Sequence, residues 1–156
     1  MIEITIPGHA ALRLNHLILD YNGTLACDGT LLTGVRERLI ALAPRLGVHV
    51  ITADTFGSAQ AALAGIPCLV KVLPPGGQDV AKLDYVAQLG RKAAACIGNG
   101  RNDRLMLHAA ALGMAVIGPE CAAAEALAAS DIVAPHILAA LDLLLNPLRL
   151  VATLRS

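Results

Sequence analysis

Apolar residues recur along this chain in two alternating patterns. Short, nearly continuous apolar runs occupy residues 17–20, 48–52, 68–73, 94–97, 114–117 and 132–133. Between them lie stretches in which apolar side chains return every three or four positions: 35–46, 55–64, 80–89, 103–111, 122–128 and 137–145. The runs have the pattern of strands buried on both faces, and the periodic stretches that of amphipathic helices. Thr33 stands where the first helix needs an N-cap, and Gly47 where it needs a stop. Asp54 or Thr55 is placed to open the second helix, which Gly65 closes. Residues 148–154 form a short apolar tail that packs back on the core.

Strands that alternate with helices predict a parallel sheet covered on both faces, an α/β doubly wound fold. The Leu73-Pro-Pro-Gly-Gly77 segment is a turn too short to separate two cores, so residues 1–156 read as one domain. In such sheets ligands bind beyond the carboxyl ends of the strands, where the strand order reverses. The polar residues following the strands are Asp20, Thr52, Asn99, Asn102 and Asp103, and all are expected to converge on one edge.

Composition narrows the function classes. With 56% hydrophobic but only 2% aromatic residues, the core of this 156-residue chain rests on Leu, Ile, Val and Ala. Twelve basic and 12 acidic residues give no net charge and no basic block, which argues against nucleic acid as a partner. The mean hydropathy of +0.63 raises the question of a membrane. Yet the most apolar stretch, 105–119, falls short of the roughly 20 residues a span requires and carries His108 and Gly113. The N-terminus has an acid where a secretory signal needs a base. A cytoplasmic protein without a membrane span is expected. Cys27, Cys68, Cys96 and Cys121 form no C-x-x-C pair and are expected in the core as reduced thiols. His9, His16, His49, His108 and His136 form no spaced ligand set and are expected at or near the surface.

The strand ends carry the chemistry. In Asp20-Tyr-Asn22-Gly23-Thr24 a carboxylate ends a buried strand, which is costly unless a cation or hydrogen-bond donors meet it. Gly23 permits a tight turn whose amides could face an anion. Thr52 places a hydroxyl at the second strand end, beside a helix N-terminus that is itself suited to anions. Gly98-Asn99-Gly100-Arg101-Asn102-Asp103 offers hard oxygen donors of the kind magnesium takes.

Together these segments resemble the haloacid dehalogenase superfamily of phosphotransferases. Asp20-Tyr-Asn-Gly-Thr is similar to its first motif, Thr52 to its second, Lys82 to its third and Gly98-Asn-Gly-Arg-Asn-Asp103 to its fourth. Lys71 and Lys92 are the alternatives to Lys82. Among these proteins the chain is most similar to the phosphorylation domain of P-type ATPases and its small soluble relatives. The resemblance implies a Rossmann-like core and a magnesium-dependent phosphatase or phosphotransferase. Asp20 is then the nucleophile and carries an aspartyl-phosphate intermediate. Thr52, Ala53 and Lys82 hold the phosphoryl oxygens together with the Gly23 and Thr24 region, and magnesium sits on Asp20, Asn22, Asn99 and mainly Asp103. Two residues depart from the pattern. Asn22 stands where most of these phosphatases have an aspartate acting as general acid and base, which implies slow turnover. Asn99 replaces the first aspartate of the fourth motif, which implies weaker magnesium binding. Only a short flap lies between residues 25 and 33, so no cap domain is expected, and the chain is too small for ATP-driven transport. A capless site implies a homo-oligomer acting on a small phosphorylated substrate. The alternative is a non-catalytic or regulatory phosphate-binding protein.

Overall fold

The computed structural model describes residues 1–54 and 57–156. In chain order its elements are β1 (Ile2–Ile4), β2 (Leu12–Leu14), β3 (His16–Asp20), β4 (Ala26–Cys27), β5 (Thr30–Leu31), α1 (Val35–Leu42), β6 (Gly47–Thr52), α2 (Ser58–Ala62), β7 (Leu69–Val72), α3 (Gln78–Leu89), β8 (Ala94–Gly98), α4 (Arg104–Ala109), β9 (Leu112–Val116), α5 (Ala124–Ala128), β10 (Ile132–Ala134), α6 (Ile137–Leu145) and α7 (Pro147–Leu154). Single 3₁₀ turns, Arg91–Ala93 and Arg101–Asp103, precede β8 and α4.

Six strands form one parallel sheet in the order β10-β9-β8-β3-β6-β7. The chain winds outward from β3 through β6 to β7, returns to the other side of β3 as β8, and continues to β10. The order therefore reverses between β3 and β8. At such a reversal the connections leave in opposite directions and open a crevice above the strand ends.

Strand alternation divides the core. Leu17 and Leu19 of β3, with Val48 and Val50 of β6, join a cluster that includes Leu39 of α1 and Leu141 of α6. Ile18 and Ile51 turn to the opposite face, packing with Val86 of α3, Cys96 of β8, and Met106 and Leu107 of α4. Both faces are dry, which is why these strands read as unbroken apolar runs. The antiparallel β1–β2 pair adds Ile2, Ile4, Leu12 and Leu14 to the first cluster. The small antiparallel pair of β4 and β5 is the flap. Among the described residues, no single helix is long and apolar enough to cross a membrane.

Several element ends differ from expectation. Helix α1 is preceded by Gly34 in the left-handed region (φ 88°), not capped by Thr33, and it ends at Leu42, while Gly47 begins β6. Helix α2 ends at Ala62, before Gly65. Asp54 does serve the start of α2, its Oδ2 accepting from the Ser58 hydroxyl at 2.6 Å and the Ala59 amide at 2.8 Å. Thr55, the other candidate, lies outside the described residues. The apolar tail is a helix, α7, with Pro147 in its first turn. Of the four thiols only Cys96 is buried; Cys27 and Cys68 are half-buried and Cys121 is exposed.

Candidate active site

The site grows from the ends of β3 and β8. Asp20 closes β3, and its backbone turns at once: the amides of Thr24, Leu25 and Ala26 all donate to the Tyr21 carbonyl, and that of Gly23 donates to the Ala26 carbonyl. This curl needs a left-handed residue at position 23, where Gly23 has φ 78°. It also needs an absent side chain, because a Cβ on Gly23 would lie 2.4 Å from the Asn99 amide nitrogen. The Gly23 and Thr24 amides, expected to face phosphate, thus close the turn instead. Thr24 enters the site through its hydroxyl.

At the centre is a buried charge triad. Lys82 Nζ donates to Asp20 Oδ1 and to Asp103 Oδ1, both at 2.6 Å. Lys71 and Lys92 are exposed on the surface, on β7 and on the turn before β8. Asp103 Oδ2 accepts the backbone amides of Asn99 at 3.0 Å and Gly100 at 2.8 Å, so this carboxylate ties the loop after β8 to Lys82. The Thr24 hydroxyl lies 3.1 Å from Asp20 Oδ2 and 3.2 Å from Asn99 Oδ1. Asn99 Nδ2 donates to the Cys121 carbonyl at 3.0 Å, which turns its oxygen toward Thr24 and Asp20. An aspartate could not make that outward bond, so an amide suits the position.

The remaining expected residues take different places. Thr52 is buried at the end of β6, its hydroxyl accepting the Asp54 amide at 3.0 Å, with Ala53 half-buried beside it. Asn22 is exposed at the mouth. Asn102 turns away from Asp20 and donates to Gln78 Oε1 at 2.9 Å. A concavity of about 380 Å³ lined by Leu12, Arg91, Lys92 and Ala111 shares no residue with this cluster.

Charge at the site is unbalanced. Burial, with Asp103 adding to it, pushes Asp20 up to about 7, against the pull of Lys82 and Thr24. Burial acts to lower Lys82, but the two carboxylates outweigh it and hold its pKa above the ordinary lysine value. With two carboxylates facing one ammonium, the raised value of Asp20 means that either a proton or a second cation must neutralise the pair near pH 7. These oxygen donors fit a divalent cation. Asp20 and Asn99 share one hydroxyl, that of Thr24, and keep a little exposure, whereas Asp103 is fully buried with both oxygens bonded.

Sequence reasoning missed the residues that latch the flap. The Tyr21 hydroxyl donates to the Gly29 carbonyl at 3.0 Å, and the Asp28 amide donates to Glu120 Oε1 at 2.8 Å. It also missed the Arg104–Asp79 ion pair, 2.8 Å long, which holds the first turn of α3 against α4. Tyr21, beside the carboxylate of a mostly aliphatic chain, was the one visible signal.

The "Uncharacterized protein MJ0073" of Methanocaldococcus jannaschii is 46% identical over 85 residues, which are 52% of this chain and 91% of that protein. This chain belongs to its family. No protein-family profile matches the sequence. The cobalt-bound deoxy-D-mannose-octulosonate 8-phosphate phosphatase of Haemophilus influenzae superposes with a TM-score of 0.70 at 17% identity, covering 85% of this chain and 88% of the enzyme. The 3-deoxy-D-manno-octulosonate 8-phosphate phosphatase of Moraxella catarrhalis, in complex with magnesium, phosphate and its sugar acid, gives 0.64 at 19%, covering 91% and 94%. The fold is that of the haloacid dehalogenase superfamily.

Proposed function

We propose that this chain is a magnesium-dependent phosphatase or phosphotransferase that acts through an aspartyl-phosphate on Asp20. The observation that carries this reading is Lys82, buried and held at 2.6 Å from both Asp20 and Asp103 at the point where the strand order reverses. A buried ion triad is a costly way to stabilise a fold, since a matched apolar cluster does as well or better. Its presence beneath an open mouth argues for chemistry.

Each group then has a role. Asp20 attacks phosphorus through the oxygen not held by Lys82, and the ester P–O bond breaks, releasing the alcohol, which takes its proton from solvent. Lys82 and the Thr52 hydroxyl hold phosphoryl oxygens, with the backbone at Ala53 beside them. Thr24 orients Asp20 and Asn99. Asp103 keeps Lys82 charged and the loop in place, and would add negative charge for the metal. Asp20, the main-chain oxygen of Asn22, and Asn99 would hold magnesium directly. When bound, the metal neutralises the attacking carboxylate and the transferring phosphoryl group. Metals in two structural neighbours, cobalt and magnesium, support a divalent cation here.

Asn22 cannot accept a proton from water, so loss of the acyl phosphate is the slow step. The neighbours are phosphatases of a small phosphorylated sugar acid, which supports a small phosphorylated substrate. The free thiols suit a reducing cytoplasm.

Hydrolysis of 4-nitrophenyl phosphate with and without magnesium, with Asp20→Asn as the blank, tests this reading. Magnesium-dependent turnover abolished by Asp20→Asn is expected; turnover equal in the two proteins would exclude Asp20 as nucleophile. The second reading, a phosphate-binding regulator, is favoured by Asn22 and Asn99, and predicts phosphate-dependent stabilisation without any turnover.

A further inference from the structure

Among the described residues, α3 makes two polar side-chain contacts with strands of the sheet. One is Lys82 to Asp20. The other lies one turn further along, where the Tyr85 hydroxyl is 2.8 Å from His49 Nδ1 on β6. His49 Nε2 is in turn 3.2 Å from His16 Nδ1 on β3. Ile18, Ile51, Val86 and Cys96 belong to one buried apolar cluster on this face of the sheet. Apolar burial of this kind presses the helix onto the sheet but is non-directional, so it sets no register. The Asp79–Arg104 and Gln78–Asn102 contacts fasten the first turn of α3 sideways, not to the sheet.

The row is closely built. The two imidazoles are tilted at 59° with centroids 5.3 Å apart, and Tyr85 meets His49 edge-on at 5.7 Å. Gly47, beside His16 in the register of β3 and β6, makes room for it. A Cβ there would lie 3.2 Å from His16 Nδ1 and 3.3 Å from His49 Nε2.

Proton counting gives the row its property. With Tyr85 donating to His49 Nδ1, His49 carries its proton on Nε2 and donates it to His16 Nδ1. One added proton can be accommodated by reversing donors along the row. A second sets N–H against N–H at the 3.2 Å contact and breaks it.

We infer that His16, His49 and Tyr85 are positioning residues for Lys82, fixing α3 on the sheet and releasing it when both imidazoles are protonated. The inference rests on the reading of Asp20 as nucleophile and Lys82 as its partner. Burial, with His16 adding to it, holds His49 below the ordinary imidazole value, so the row resists charging near neutrality. Of the carboxylates nearest this row, Asp20 lies four residues along β3 and is held by Lys82, and Asp84, next to Tyr85 on α3, is exposed. Beta-8 presents Ala94 and Cys96, and β7 presents Leu69 and, nearer the site, the exposed cation Lys71. Because the folded value of His49 lies below the unfolded one near 6.5, the contribution of the row is full above about pH 6.5 and is lost as pH falls through the folded value.

The test compares wild type, Tyr85→Phe and His16→Gln with magnesium between pH 5 and 8. Two quantities are read: kcat and KM for 4-nitrophenyl phosphate, and the ¹H–¹⁵N signal of the Lys82 ammonium group. His16→Gln keeps an acceptor for His49 but cannot charge. At pH 7.5 Tyr85→Phe is expected to lower kcat about threefold, within the worth of one neutral hydrogen bond, with KM changed by less than about twofold. Its Lys82 signal shifts. His16→Gln matches wild type at pH 7.5 and loses the acid-side change in both readouts. Coincident pH profiles for all three proteins, or a Lys82 signal indifferent to Tyr85→Phe, would overturn the inference. Should none of the proteins turn over substrate, the phosphatase reading fails and the Lys82 signal alone decides: following the histidine titration in wild type but not in His16→Gln upholds the row, and a flat signal overturns it.

Discussion

Lys82 is a fully buried lysine whose charge exists only because two carboxylates face it. Removing it leaves Asp20 and Asp103 buried against each other, and the loss of one member of a buried ionic cluster costs about 3–5 kcal/mol. Lys82→Met should therefore lower stability by about that amount in urea unfolding without metal, and magnesium should restore part of it by neutralising the pair. A loss below about 1 kcal/mol would mean that the carboxylates are not charged together. The main residues of this site were legible because each stands at the end of an apolar run, where a polar side chain has no reason to be unless it meets another. Lys82 was less legible, being one of three lysines with no pattern to choose among them except resemblance. The His16–His49–Tyr85 row was illegible: the three residues are far apart in sequence, and only the registers of β3, β6 and α3 bring them together. The same holds for Asn99, read as a weakened metal ligand, whose amide proves to have a bond to Cys121 that a carboxylate could not make.

Helices α1 and α6 lie together on one face of the sheet, and a paired Arg38 and Asp142 joins them. Arg38 Nε reaches Asp142 Oδ1 at 2.7 Å, and a terminal guanidinium nitrogen reaches Oδ2 at 3.1 Å. Arg38, through these bonds, holds the Asp142 carboxyl below its usual range. A depressed carboxyl contributes stability above its unfolded value near 3.9, and that contribution is lost as pH falls through the folded value. A double-mutant cycle with Arg38→Ala and Asp142→Ala should give a coupling of about 1 kcal/mol at pH 7, fading below about pH 4. A coupling unchanged at pH 3 would show that charge is not its source. At this scale the alternation of the six parallel strands and six helices along the chain was readable, because continuous burial leaves an unmistakable run; the strand order within the sheet was not. Helix ends were not. Thr33 and Gly47 carry the right chemistry for caps, but Gly34 takes the left-handed turn and Gly47 enters β6. The β1–β2 pair was passed over because three-residue alternations are too short to register. Helix α7 was passed over as a tail, although Pro147 in its first turn is the signal that could have identified it.

A two-stranded flap follows the Asp20 turn, and among the described residues no cap domain accompanies it. Tyr21 and Glu120 hold that flap by one hydrogen bond each. The edge strand β7 exposes Leu69 and Val72, and the first turn of α7 carries Leu148, which is 84% exposed. Apolar edges of this kind are protected when a second copy covers them. Light scattering at micromolar concentration should find a homo-oligomer; a strict monomer would leave the site open and point to a macromolecular substrate.

The central claim is that Asp20 becomes phosphorylated and that Asn22 makes the return slow, and pre-steady-state kinetics test it most directly. Rapid mixing with 4-nitrophenyl phosphate and magnesium should give a burst of 4-nitrophenol near one per site, followed by a slow steady state. Asn22→Asp should raise the steady rate by at least about tenfold, a cautious part of the ~10²–10⁴-fold a general base supplies, and should remove the burst. Asp20→Asn should show neither phase. A wild type without a burst, turning over at the same rate as Asn22→Asp, would contradict the account.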